Sequence, residues 1–286
     1  MKSKQLIKRI YKRLCYGSIF MLGITPPCHS QNLPQWELGA GLAAMYMPSY
    51  RGAKTTRAYA IPYPYIIYRG DFLNIDEGGV RGWLYKSDTL LLDLSLAGGV
   101  PVSSDSNGPR RGMPDLAPTG EFGPSLEYRL WHSERNHRNV WLRMPLRGAF
   151  SIGDSGIKHQ GWTFAPHLEY TYYDTGKKGW KGSLSIGPVF SDDAYHDYFY
   201  GIAPQYATAS RAAYDAGGGY SGSRMTLVFS RKFKNLWISG FIRLDSLRNA
   251  AFDDSPLVET TRYRIIGTAL TYVFKRSSTL VHVPTL

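Results

Sequence analysis

The chain has 286 residues, with 34 Lys and Arg against 22 Asp and Glu, giving a formal charge of +12. At 43% hydrophobic and 20% charged residues it is too apolar for a disordered chain, and beyond the N-terminus it lacks the apolar run of about 20 residues that a bundle of membrane-spanning helices needs. Seven Trp, 21 Tyr, 12 Phe and 30 Gly point instead to a β-rich chain.

The charge is unevenly placed. Lys2, Lys4, Lys8, Arg9, Lys12 and Arg13 open the chain with no acid among them, and removing these six leaves 28 basic against 22 acidic residues. The uncharged stretch from Leu14 to Thr25 follows, then Pro26 and Pro27, then Cys28-His29-Ser30 before Gln31. A basic start, a short apolar run and small residues at a cleavage position define a secretory signal peptide over residues 1–30. A lipoprotein signal acylated on Cys28 is the rival, and the two prolines in front of that cysteine argue against it. An apolar run directly behind the charges also argues against a nucleic-acid-binding arm, and no nucleic acid is expected as a partner. Both cysteines, Cys15 and Cys28, fall in the segment expected to be removed. The mature chain then has no disulfide framework, no Cys ligand for zinc and no Cys nucleophile.

From Gln31 onward the dominant period is two. Trp162, Phe164, Leu168, Tyr170 and Tyr172 alternate with Thr163, His167, Glu169 and Thr171, and Leu236, Ile238, Ile242 and Leu244 alternate with Ser239, Arg243 and Asp245. Val140, Leu142, Met144 and Leu146 repeat the pattern against Arg143 and Arg147. Alternating strands of about ten residues with aromatic ends are the signature of an outer-membrane barrel. A soluble β-sandwich alternates as well, but its strands run to about five or six residues. Strands are expected at 36–46, 58–68, 71–77, 79–86, 88–98, 119–130, 139–151, 161–173, 180–190, 224–233, 235–245 and 263–274. The fold class is therefore all-β, a closed antiparallel transmembrane barrel of about twelve strands (ten to fourteen), the higher count arising if 195–204 and 213–221 also pair. Long connections at 47–57, 99–118, 152–160, 191–223 and 246–262 fall on the outer side and tight ones on the periplasmic side, Ser87 being the exception. Aromatic girdles are expected from Trp36, Tyr46, Tyr59, Tyr68, Trp180, Phe190, Tyr263 and Phe274. Pro62, Pro64, Pro124, Pro145, Pro166 and Pro188 lie inside these strands and must sit at bulges or strand ends.

Sites of chemistry are sparse. His167 beside Glu169, with Ser183 and Ser185 on the next strand, is the best Ser and His arrangement, yet no sharp motif surrounds it and a charge network is the simpler reading. Asp192, Asp193, His196 and Asp197 have carboxylates suited to calcium but lack EF-hand spacing, and read as a solvated loop. Gly217-Gly218-Gly219 follows no buried strand and opens no helix, so it offers backbone freedom or close approach rather than a phosphate loop. Arg110 and Arg111, with Asp105 and Asp115, either meet anionic lipopolysaccharide or form a solvated loop. Arg143, Arg147, Glu169, Lys181 and Arg243 on the polar faces either tune a pore or lock together across a closed barrel. No catalytic residue, cofactor or metal site is assigned.

In order along the chain stand Gly39-Ala40-Gly41, Pro48-Ser49-Tyr50-Arg51-Gly52, Ile61-Pro62-Tyr63-Pro64-Tyr65, Asp93-Leu94-Ser95-Leu96-Ala97-Gly98-Gly99-Val100-Pro101-Val102 and Arg111-Gly112-Met113-Pro114-Asp115-Leu116. Glu121-Phe122-Gly123-Pro124, Tyr195 with Tyr198-Phe199, Ala213-Tyr214-Asp215-Ala216-Gly217-Gly218-Gly219 and Asp254-Ser255-Pro256-Leu257-Val258 continue the series. Across 36–274 the sequence resembles the MltA-interacting protein (MipA/OmpV) family of Gram-negative outer-membrane proteins. The resemblance implies a non-catalytic outer-membrane scaffold that joins a lytic transglycosylase to a penicillin-binding protein for murein (peptidoglycan) assembly. Contacts would come from periplasmic turns such as Arg135 to Arg138 and Lys177-Lys178. A porin-like or adhesin-like barrel is the alternative, passing small solutes or binding envelope or host ligands. The chain departs from the usual pattern of such barrels by continuing from Lys275 to Leu286 past Phe274, as a harmless extension or a basic periplasmic arm. The expected organisation is a signal peptide at 1–30, the barrel at 31–274 and a short tail at 275–286.

Overall fold

The computed structural model describes residues 31–76, 79–105, 108–133, 137–153, 156–174 and 179–283. Its strands are β1 (Gln31–Pro34), β2 (Trp36–Pro48), β3 (Thr56–Arg69), β4 (Leu73–Asp76), β5 (Gly79–Lys86), β6 (Leu90–Gly99), β7 (Thr119–Ser133) and β8 (Arg138–Gly153). They continue with β9 (Gly156–Phe164), β10 (His167–Tyr173), β11 (Trp180–Ser191), β12 (Gly219–Phe233), β13 (Leu236–Ser246), β14 (Arg262–Arg276) and β15 (Leu280–Val283). One helix, α1 (Asp193–Tyr200), interrupts them between β11 and β12.

β2 to β14 form a single antiparallel sheet that closes on itself. β9 and β10 occupy one place in the ring, since both lie between β8 and β11, so thirteen strands fill twelve positions. Twelve is the number that the hydrophobic period predicts. The fourteen-strand alternative fails because 193–200 is helical and residues 202 and 214 meet only in an isolated bridge. The chain ends close the ring through ten residue pairs between β14 and β2. Even-numbered residues of β2, β13 and β14 face outward, with Leu42 68% and Phe274 62% exposed, while odd-numbered Glu37, Trp237, Asp245 and Thr271 are buried inside.

Two expectations need correction, the girdle and the outer reversal. Tyr59 and Tyr263 share the inward parity of their strands, and Tyr263 receives a hydrogen bond from Arg51 at 3.0 Å, so neither belongs to a girdle. The reversal on the outer side falls between β4 and β5 rather than at Ser87, because β4 is only four residues long and turns back inside the wall. Beyond Phe274, β14 continues to Arg276, and β15 then pairs with β1 as a two-stranded ribbon at the inner end.

Each internal proline has a place where no ladder donor is required. Pro124 and Pro145 sit at a break in the β7–β8 ladder, which skips from Phe122 to Ser125. Pro166 separates β9 from β10, and Pro188 precedes a register shift between β11 and β12. Pro62 and Pro64 lie in an unbroken register with β2. The backbone bonds flanking that register explain how: Ser49 N–H donates to Thr55 O and Arg69 N–H to Gln35 O, so odd residues of β3 bond to β2 and even ones face the other edge.

Ring closure needs a bare backbone at Gly41. A Cβ there would lie 2.0 Å from Leu270 O and 2.6 Å from Thr271 Cα, whereas one at Gly120 would meet nothing within 4 Å. Gly41→Ala therefore lowers the temperature at which the compact barrel band is lost on semi-native gels, at an overpacking cost of about 1–3 kcal/mol. Gly120→Ala leaves that temperature unchanged, and identical behaviour of the two variants contradicts this account of the seam.

Candidate functional site

Loops 49–55, 100–118, 192–218 and 247–261 all leave the same end of the ring, and they converge. Tyr50 and Ala53, Val102 and Leu116, Tyr200 and Ala216, and Leu247, Ala250 and Phe252 form one buried apolar cluster drawn from all four. Its centrepiece is α1. Asp192 caps the helix by accepting from Tyr195 N–H at 3.0 Å, and Asp193 in the first turn complements the helix dipole. One face of the helix then buries His196 and Tyr200 against Phe252, the Tyr200 and Phe252 rings stacking at 3.7 Å between centroids.

Polar ties lace the loops across the mouth. Arg110 donates to Phe199 O at 3.0 Å, Tyr198 OH to Ala117 O at 3.1 Å, and Arg211 to Pro109 O and Arg111 O at 2.7 and 2.9 Å. Tyr50 OH reaches Leu257 O at 2.7 Å, and Tyr200 OH reaches Arg51 O at 3.0 Å. Burial is the largest influence on Tyr195 and Tyr200 and pushes both phenols up from 10.0, so they act as neutral donors. Tyr195 OH donates to Glu121 at 3.0 Å, which ties the helix to the wall.

Below the cap the inward faces carry two charge hubs. Asp245 meets Arg243 at 2.6 Å, Arg224 at 3.3 Å and Arg51 at 3.7 Å. At the opposite end of the barrel Glu37 binds Arg69 at 2.9 Å, Arg276 at 3.4 Å and Lys232, joining β2 to β3, β14 and β12. Next to this hub Trp237 stacks on Tyr63 at 6.0 Å and tilts against Tyr65 at 5.4 Å.

The Ser and His arrangement read from the sequence does not form. His167 Nδ1 lies 2.8 Å from Ala165 O, Glu169 is engaged by Arg143 at 3.3 Å, and no bond to Ser183 or Ser185 is present among the described residues. A different pair does form: His196 Nδ1 lies 2.6 Å from Gly217 O and its Nε2 2.6 Å from Ser221 Oγ. The carbonyl requires Nδ1 to donate, while Ser221 Oγ donates to Ser191 Oγ at 3.0 Å. The two are in contact as in a Ser and His couple, but the serine proton goes to Ser191, both residues are 0% exposed and a carbonyl stands where an orienting carboxylate would be, so the pair braces the cap. Within the triple glycine, a Cβ at Gly218 would lie 2.9 Å from Asp193 N and Gly219 has φ +134°, whereas a Cβ at Gly217 would meet nothing within 4 Å.

The acidic cluster is likewise used internally. Asp192 caps α1 and Asp197 accepts from Ala216 N–H at 2.6 Å, and among the described residues no three His, Cys, Asp or Glu side chains are placed to hold a metal. Arg110 is a correction. It is 3% exposed and bonded inside the cap, while Arg111 alone of the two faces outward. The lumen-side set divides: Arg143 bridges Glu127 at 2.6 Å and Glu169, Arg243 joins Asp245, and Lys181 stands over Tyr173 at 5.8 Å. Arg147 reaches Ser95 rather than a carboxylate. Arg135, Lys177 and Lys178 lie outside the described residues; Arg138 packs over the Tyr172 ring. A cavity of about 350 Å³ remains in the cap, lined by Arg110, Asp115, Asp197, Tyr198, Tyr214 and Asp215 among others.

A closed antiparallel ring with apolar residues outward and ion pairs inward is an outer-membrane β-barrel. The chain belongs to the family described as MltA-interacting protein MipA, whose model matches residues 40–274. It is 24% identical over 224 residues to the outer membrane protein Omp26La of Vibrio anguillarum, covering 72% of this chain and 76% of that one. Among solved structures it is similar to an outer membrane channel from Pseudomonas putida F1 (10% identity, 88% of this chain and 100% of that one, TM-score 0.46). It is also similar to a bacterial polysaccharide outer membrane secretin (9% identity, 84% and 99% coverage, TM-score 0.39). The protein is thus an outer-membrane protein.

Two outcomes follow from the site. Asp245→Asn leaves three arginines around an uncharged amide, and breaking a buried ion network costs about 3–5 kcal/mol. The urea midpoint of the folded barrel falls accordingly, and an unchanged midpoint contradicts the hub. Burial, the largest influence, pulls the His196 imidazole below its ordinary 6.5. A depressed imidazole stabilises the cap fully above about pH 6.5 and progressively less as the pH falls below it. Proteolysis within 192–218 therefore accelerates between pH 7 and pH 5; a constant rate contradicts the assignment.

Proposed function

We propose that the protein is a non-catalytic scaffold of the outer membrane that holds a murein-degrading lytic transglycosylase, together with a penicillin-binding protein, at the inner face. The observation that carries this reading is the filled outer end: four loops share one apolar core across the mouth, and the Asp245 and Glu37 hubs tie lumen charges to one another. A barrel plugged in this way is suited to anchoring rather than to passing solutes. The family name supports the first of these partners. Outer-membrane lipid and lipopolysaccharide surround the wall.

The second reading is a barrel whose outer loops bind an envelope or host ligand, and the cavity of about 350 Å³ among Asp115, Asp197 and Asp215 favours it. Immobilised protein incubated with envelope extract discriminates between them. The scaffold reading expects a lytic transglycosylase to be retained at physiological salt and identified by murein-degrading activity in the eluate. An eluate without that activity, from protein that keeps its heat-modifiable folded form, overturns it.

A further inference from the structure

Among the described residues, the ladders of the ring are long except where β4 and β5 join it to β3 and β6. β3 joins β2 through thirteen residue pairs but β4 through only two, Tyr68 with Ile75 and Arg69 with Asn74. β5 meets β6 only where Trp83, Tyr85 and Lys86 face Asp93, Leu92 and Leu91. Among the described residues, the edge of β3 from Thr56 to Ile67 and the edge of β6 from Leu94 to Gly99 therefore have no ladder partner on the sides that face one another. The gap lies in the outer half of the wall, next to loops 49–55 and 100–118.

Two features show that the chain is adapted to this opening. Pro62 and Pro64 are even residues of β3, so the donors they lack are those that would face the gap. An open edge normally captures another strand, and prolines on that edge prevent it. Ile61, Ala97 and Gly99 share the inward parity of their strands yet are exposed, as residues bordering an opening must be.

The surfaces on either side define what fits. Outward, Ile66, Phe72, Leu84, Leu94 and Leu96 are 39–58% exposed in a wall that faces lipid. Inward, Arg147 crosses Gly123, which has no side chain, and donates to Ser95 Oγ on the rim strand β6 through Nε at 2.9 Å and a terminal nitrogen at 2.6 Å. Glu121 and Asp93 act on the Arg147 charge from nearby, but these hydrogen bonds go to a hydroxyl, which leaves guanidinium donors for an anionic group.

We propose that the gap between β3 and β6 is a lateral portal through which an amphiphile with an acyl chain and an anionic head enters from the outer leaflet, its chain in the gap and its head on Arg147. This goes beyond the scaffold reading and does not depend on it. The test places p-benzoylphenylalanine at Ile61 or at Ala97 in the full-length exported protein, reconstituted in phosphatidylethanolamine and phosphatidylglycerol vesicles with radiolabelled acyl chains. Inward-facing Ser239 serves as the dry control and outward-facing Leu42 as the lipid control. Photolysis is expected to label the Ile61 and Ala97 positions as strongly as Leu42, and labelling no greater than at Ser239 overturns the portal. For the head group, binding of dansylaminoundecanoic acid is expected to weaken about tenfold in Arg147→Gln, the scale of one charge-assisted hydrogen bond, and to recover in Arg147→Lys. Binding indifferent to both substitutions in heat-modifiable, folded protein overturns the role of Arg147.

Discussion

In the hydrocarbon of a membrane, backbone N–H and C=O groups have no water to bond, so a sheet that enters it is driven to close, and this one leaves unpaired, among the described residues, the outer stretch between β3 and β6. The rest of this structure depends on that constraint. β14 must return to β2, which explains the ten-pair seam between the first and last long strands and the tight backbone contact at Gly41. It explains why Glu37, beside that seam, collects cations from β3, β12 and β14 and so fastens three strands to the one that opens the ring. It also confines each internal strand proline to a break, a register shift or the β3 edge that has no ladder partner among the described residues.

Once closed, a twelve-position ring encloses more space than wall side chains fill without help. The chain fills the outer end with its own loops. α1 supplies aromatic volume, the 247–261 loop supplies Leu247 and Phe252, and buried arginines bind backbone carbonyls of neighbouring loops. Arg110 and Arg211 are cations used mainly as multiple hydrogen-bond donors, which suits a guanidinium better than an ammonium. The periplasmic end is narrowed by Trp237 against Tyr63 and Tyr65 and by the Glu37 hub. The wall, the cap and the inner hub thus act together to make a rigid, internally paired body.

The wall was legible in the sequence because period two survives in every long strand and lipid demands a uniform outward face. Parity failed at Tyr59 and Tyr263, since an aromatic at a strand end reads as a girdle whichever face it occupies. The cap was not legible. An eight-residue helix among tyrosines has little period of its own, though Asp192 followed by Asp193 is a usable start signal. His196 and Ser221 are 25 positions apart, and only the folding of the 192–218 loop over the mouth brings them together. Arg110 looked like a surface cation because charge in a long loop is ordinarily solvated, and here four loops bury it. The short β4 lay within an expected strand of 71–77, and nothing in its composition shows that the ladder ends after two pairs.

The central claim is that the barrel is closed at its outer mouth by its own loops. Planar-bilayer recording of single purified barrels tests it most directly. The account predicts no steady conductance at neutral pH, with at most brief openings. A stable, ohmic open level from correctly folded protein would contradict it.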